Sequence, residues 1–159
     1  MVALGCSLPG SYPSRETLLD ASLAALAEAG LVVAARSAWW ASAAWPDPTG
    51  PAYLNGVALV ETPLPAAELL ALLHRIEARF GRIRAEANAP RTLDLDLIAH
   101  GRTVLDGAVV VPHPRAHERL FVMGPLAEVA PNWRHPVDGR TAAALAATAG
   151  VGADATPVA

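Results

Sequence analysis

Leu93-Asp94-Leu95-Asp96-Leu97-Ile98-Ala99 opens with strict alternation of apolar and acidic residues. That period of two predicts a half-buried strand over 93–99, with the leucines on one face and both aspartates on the other. What precedes it decides the fold. Pro63 and Pro65 open a helix whose apolar stripe is Leu69, Leu72, Leu73, Ile76 and Phe80, and Gly81 closes it. Before that helix, 53–61 and 31–42 read as strands, separated by a loop that Pro46, Pro48, Gly50 and Pro51 enforce. At the start, Val2 to Cys6 is a short apolar strand followed by a Pro9-Gly10 turn. Ser14 then caps a helix carrying Leu19, Leu23 and Leu26, which Gly30 ends. The order strand, helix, strand, strand, helix, strand predicts an α+β fold. Its form is a ferredoxin-like sandwich, an antiparallel sheet with helices packed on one face.

Beyond the alternating strand, 102–105 is expected to pair back onto it through a His100-Gly101 turn. A short helix over 117–127, interrupted at Gly124-Pro125, and an alanine helix over 141–149 follow. These readings put one domain at 1–150 and leave 151–159 as a frayed tail.

Composition narrows the function. The chain has 159 residues, 53% hydrophobic and 17% charged, with net charge -3, so it should fold, and it lacks the basic footprint of a nucleic-acid binder. All 12 basic residues are arginine. The absence of lysine excludes a Walker A phosphate loop and a Schiff-base enzyme. A single Cys6 excludes a disulfide framework and a cysteine zinc cluster. No apolar run reaches membrane-spanning length, and the residues before Cys6 are too few and uncharged for a signal peptide, so a cytoplasmic protein is expected.

Two carboxylates on one strand face lie about 6–7 Å apart at their Cα atoms, from a rise of about 3.3 Å per residue. Their mutual repulsion is about 2–3 kcal/mol at an effective dielectric near 20. A hard divalent cation reverses that sign, and Mg²⁺ favours one or two carboxylates plus substrate phosphates. A solvated strand face would give the same spacing. The neighbourhood favours the metal: Arg82, Arg84 and Arg91 surround the pair, and guanidinium suits phosphate. With 82–90 reading as a mobile loop, the segment suggests a nucleoside triphosphate site without a Walker loop. Tyr53 and Asn55, two apart on a strand, offer a stacking ring beside a hydrogen-bonding amide, which suits a flat heterocycle. Ordinary strand packing is the commoner explanation of such a pair taken alone, and Phe121 is as ambiguous. His113 and His117 have zinc-helix spacing, but Pro114 and the missing glutamate oppose a metalloprotease motif.

Pro90-Arg91-Thr92-Leu93-Asp94-Leu95-Asp96, preceded by Gly81-Arg82-Ile83-Arg84, resembles the signature of the 6-hydroxymethyl-7,8-dihydropterin pyrophosphokinase family. The likeness runs through Val2-Ala3-Leu4-Gly5, Tyr53-Leu54-Asn55, Arg75-Ile76-Glu77, Val111-Pro112-His113 and Arg119-Leu120-Phe121 to Pro125-Leu126, in the same order. The resemblance implies an ATP-dependent diphosphotransferase of folate biosynthesis, moving pyrophosphate from ATP to the pterin hydroxymethyl group and releasing AMP. It implies that Asp94 and Asp96 hold two Mg²⁺ ions, and that Arg82 and Arg91 steady charge on the phosphates. It places Glu77, Arg84, His113 and Arg119 around ATP. It places Tyr53, Asn55 and Phe121 around the reduced pterin. A monomer is expected, with association with a neighbouring folate-pathway enzyme as an option. A non-catalytic pterin- or nucleotide-binding module, or another Mg²⁺-dependent nucleotidyl transferase, are the competing readings. Two departures from the family pattern stand out: Asn88-Ala89 replaces a frequent tryptophan, and no arginine falls between Arg84 and Arg91.

Overall fold

The helix that Ser14 starts is held by reciprocal bonds: Ser14 Oγ accepts from Thr17 N–H, and Thr17 Oγ1 accepts from Ser14 N–H. It runs over Arg15–Glu28 (α1) and ends where Gly30, at φ 91, lets Gly30 N–H reach Ala27 O and Leu31 N–H reach Leu26 O. The computed structural model describes residues 1–83, 87 and 89–159. Its other elements are β1 (Val2–Cys6), β2 (Val32–Arg36), β3 (Trp40–Ser42), β4 (Tyr53–Glu61), α2 (Ala66–Arg79) and β5 (Asp94–Leu97). There follow β6 (Leu105–Asp106), β7 (Val110–Val111), α3 (Leu120–Val129), α4 (Ala142–Thr148) and β8 (Thr156–Pro157).

Nine-residue β4 is the spine of the sheet. It pairs antiparallel with β1 along one edge and with both β2 and β3 along the other, while β1 carries β5 and β3 carries β8. The fold is therefore mixed α and β: among the described residues, an antiparallel sheet with four helices packed on it. Leu4 of β1, Leu54 of β4 and the alternating Leu95 and Leu97 of β5 meet Leu18, Leu19 and Leu26 of α1 and Leu69, Leu73 and Ile76 of α2 in one core. Each such leucine contributes about 1.5–3 kcal/mol through burial.

The expectation of helices on one face alone does not hold. Val57 and Ile98 on the opposite face pack against Val122, Met123 and Leu126 of α3 and Ala142 and Leu145 of α4. The helix predicted with an interruption at Gly124-Pro125 instead runs on through Pro125 to Val129. Gly124 lies close under the Trp40 ring, where a Cβ would come within 2.6 Å. Glu128 fastens this helix to the sheet, accepting from Ala38 N–H at 2.9 Å and Trp40 Nε1–H at 2.8 Å.

The single strand expected over 31–42 is two. Consecutive Trp39 and Trp40 project to opposite faces, and each indole lands on a glycine, Gly56 and Gly124 respectively. Between the two strands Ser37 keeps contact with β4 by donating N–H to Val57 O and accepting Val57 N–H at Oγ. Residues 102–105 do not pair with β5. Leu105–Asp106 instead pairs with Val110–Val111 in a separate ribbon that buries Val111, and His113 N–H takes Ile98 O.

The tail is not frayed. Thr156–Pro157 pairs with Trp40–Ala41, Ala155 is buried, and Val158 N–H donates to Trp39 O at 2.8 Å. The main chain there finds a sheet edge, a partner that residue types alone do not reveal.

Candidate active site

Antiparallel pairing sets a row of side chains across the sheet. Trp40 lies opposite Asn55, Asn55 opposite Gly5, and Gly5 opposite Asp94. One step along, Val57, Ala3 and Asp96 form a second row, and Ser42 faces Tyr53. Paired residues share a face, so the aspartates and the Tyr53–Asn55 pair stand on the α3 side of the sheet. Small residues lie between them. Gly5 is the floor of the cleft: a Cβ there would sit 3.2 Å from Asn55 Oδ1.

Seven of the residues expected at the site line this cleft: Tyr53, Asn55, Arg91, Asp94, Asp96, Arg119 and Phe121. Ser42 at the end of β3, with Ala43 and Trp45 just after it, adds a wall, and Val122 adds another from α3. Asn55 is 7% exposed and its Nδ2 donates to Ser42 Oγ at 3.1 Å, which fixes the amide plane. Arg119 lies 5.8 Å from the Phe121 ring centroid, a cation–π contact that joins the anionic and aromatic ends of the cleft.

Asp94 is held from two sides. Arg82 Nη1 bonds Asp94 Oδ1, and Arg91 Nη1 bonds Asp94 Oδ2 at 3.0 Å. Glu77 lies deeper, 2% exposed, where its Oε1 accepts from Arg82 Nη1 and from Leu95 N–H, both at 2.7 Å. It therefore couples α2 to β5 and aims Arg82. Arg91 is aimed by its own main chain: Ser7 N–H donates to Arg91 O at 3.0 Å, and Arg91 N–H donates to Ser7 Oγ at 3.1 Å. Sequence reading missed Ser7, and no local pattern marks it, because the contact crosses 84 positions.

Asp96 contrasts with Asp94. Among the described residues no hydrogen bond reaches its carboxylate. Burial, then the like charge of Asp94, push its carboxyl up to about 6, opposed by Arg119. An unpartnered carboxylate beside a second one fits a cation better than it fits a packed core. Arg119 has a matching deficit, since its buried Nε has no partner among the described residues, and desolvation lowers its pKa.

His113 stands apart, in a depression lined also by Val111, His117 and His135. Burial, then Arg119, depress it to about 4, so it is neutral at physiological pH. Its Nδ1 accepts from Arg115 N–H at 3.2 Å, which leaves the proton on Nε2 as a neutral donor. Arg84 lies outside the described residues, as does part of the loop expected over 82–90.

The family model for 7,8-dihydro-6-hydroxymethylpterin-pyrophosphokinase matches residues 1–131. The chain belongs to that family. The sequence resemblance is thereby borne out, and it covers every residue placed in the cleft. The chain is similar to 2-amino-4-hydroxy-6-hydroxymethyldihydropteridine pyrophosphokinase of Synechocystis sp., 45% identical over 129 residues, 78% of this chain and 66% of that protein. It is similar to the Pseudomonas aeruginosa protein of the same name, 42% identical over 144 residues, 87% and 84% of the two chains. It also matches folic acid synthesis protein fol1 of Pneumocystis carinii, 39% identical over 90 residues, 56% of this chain and 12% of that one. The chain thus spans just under two thirds of the Synechocystis protein and a small part of the fungal one. Among the described residues no helix is long and apolar enough to cross a membrane.

Proposed function

We propose that this chain transfers pyrophosphate from ATP to 6-hydroxymethyl-7,8-dihydropterin in folate biosynthesis, giving AMP and the pterin diphosphate. One observation carries the reading: a carboxylate pair ringed by arginines shares a cleft with Tyr53, Asn55 and Phe121. That arrangement seats a polyanion and a flat heterocycle side by side. Asp94 and Asp96 would hold two Mg²⁺ ions, which when bound neutralise phosphate charge and polarise the β-phosphorus.

The protein's own groups divide the remaining work. Tyr53 and Phe121 would enclose the pterin ring and Asn55, oriented by Ser42, would read its edge. Arg82, Arg91 and Arg119 would bear the charge that moves as the pterin hydroxymethyl oxygen attacks the β-phosphorus. The bond to the bridging oxygen of AMP breaks, and the hydroxyl proton passes to solvent. Little general-base power is needed, because such transfers rest on positioning and charge. Glu77 would act through Arg82, Arg84 would follow the nucleotide, and His113 would donate from Nε2.

We further infer a ferredoxin-like arrangement, supported by the order β5, β1, β4, β2 with all neighbours antiparallel. A single domain to which 151–157 also belongs, a monomer in the cytoplasm, and association with a neighbouring folate enzyme complete the proposal. The test is to incubate the protein with ATP, Mg²⁺ and the hydroxymethyl-dihydropterin and identify both products. AMP with pterin diphosphate is expected. Release of ADP or free pyrophosphate, or stoichiometric pterin binding without turnover, overturns the assignment.

A further inference from the structure

The chain after α4 runs from one wall of the cleft to another. Leu120 N–H donates to Val151 O and Val151 N–H donates to Glu118 O, both at 2.9 Å, so Val151 is tied to the start of α3. The chain then turns at Gly152, whose φ of 67 is a conformation that favours glycine. The bare backbone of that turn lies against Phe121: a Cβ at Gly152 would come within 2.3 Å of Phe121 Cδ1. Two residues on, Asp154 Oδ2 accepts Ala43 N–H at 2.6 Å. Past Ala155, Thr156–Pro157 pairs antiparallel alongside β3. Phe121 and Ala43 both line the cleft, on different elements. The family match ends at residue 131, so this connection lies outside it.

We propose that residues 151–157 are a positioning brace for the pterin slot: Gly152 seats the Phe121 ring, Asp154 fixes the Ser42–Ala43 wall, and together they set the width of the slot. The inference rests on the pterin reading of that cleft. Its physical basis is that ring contacts lose a quarter to a half of their attraction when opened by about 0.5–1 Å. A segment that ties both walls together prevents such opening. Asp154 itself is exposed and touches neither proposed substrate, so its effect travels through Ala43.

The experiment compares Asp154→Ala, Asp154→Asn and Gly152→Ala in the full chain. For Asp154→Ala the pterin KM should rise about fivefold, the size of one lost hydrogen bond of about 1 kcal/mol. The ATP KM should stay close to wild type, and the melting temperature should fall by no more than about 2–4 °C. Asp154→Asn keeps an acceptor and should restore the pterin KM. Gly152→Ala should raise it further; should that variant fold poorly, the two Asp154 variants decide the matter. Hydrogen exchange read without substrate should quicken at 41–43 and at 119–123 together in Asp154→Ala. An unchanged pterin KM, equal rises in both KM values, or faster exchange confined to 41–43 overturns the brace. A wild-type protein that ignores the pterin overturns the functional reading instead, and the exchange result still decides whether the two walls are coupled.

Discussion

Replacing Asp96 by Asn should stabilise the metal-free protein while abolishing its reaction. The carboxylate has no hydrogen-bond partner among the described residues, and burial followed by the charge of Asp94 lifts it from 3.8 to about 6. At about 1.36 kcal/mol per unit, that lift costs the folded state about 3 kcal/mol at neutral pH. The buried amide of Asn forfeits about 1 kcal/mol of that for its own unmet hydrogen bonds. The net gain is about 2 kcal/mol, or about 4–8 °C in melting temperature for a chain of this size. The sign follows from linkage. A carboxyl whose folded pKa lies above its unfolded one contributes stability fully below 3.8 and loses it as pH rises through about 6. The advantage of Asp96→Asn should therefore vanish in acid and reach its full size at neutrality. Urea unfolding in EDTA, at neutral pH and in strong acid, measures both limits. Adding Mg²⁺ with a non-hydrolysable ATP analogue should then stabilise the wild type and not the variant. A variant no more stable than wild type in EDTA at neutral pH would refute the view of Asp96 as a half-buried charge that Arg119 offsets only in part.

Three further outcomes are expected. Glu77→Ala strands Leu95 N–H and removes one partner of Arg82, so it should cost about 3–5 kcal/mol in urea unfolding, with Glu77→Gln well short of that because its amide oxygen still accepts from Leu95. Gly5→Ala puts a methyl 3.2 Å from Asn55 Oδ1, and should raise the pterin KM about three- to tenfold while leaving the ATP KM alone; a larger effect on ATP would contradict the placement of Asn55. Burial pushes the Cys6 thiol up to about 12, so a thiol reagent should modify it in the unfolded chain and scarcely in the native one at neutral pH. The same shift means stability present below about 9 is lost as pH climbs toward 12, which alkaline unfolding of wild type against Cys6→Ala would register.

Several elements were legible because their cause is local. Alternation in 93–97 put Asp94 and Asp96 on one face whatever the rest of the chain did, and Ser14 and Gly30 bounded α1 by their own backbone preferences. Lysine's absence, likewise, confines the permanently charged side-chain cations to arginine. Arg91-Thr92-Leu93-Asp94-Leu95-Asp96 and the other motifs carried the family. Other features depend on which distant segments meet. Ser7 orients Arg91, Glu77 reaches both Arg82 and β5, and Glu128 pins α3 to the sheet, each through pairs that sequence spacing leaves unrelated. Trp39 and Trp40 split one expected strand because each needed a glycine to receive it, and those glycines lie on β4 and α3. Residues 151–159 read as a frayed tail, yet a free strand edge and the Phe121 ring gave them partners. The sequence by itself determined the chemistry of the side chains and the faces they share within one element. The tertiary structure alone decided that Asp94 is ion-paired by Arg82 and Arg91 while burial pushes the Asp96 carboxyl up, because charge pairing and desolvation depend on distances across the fold.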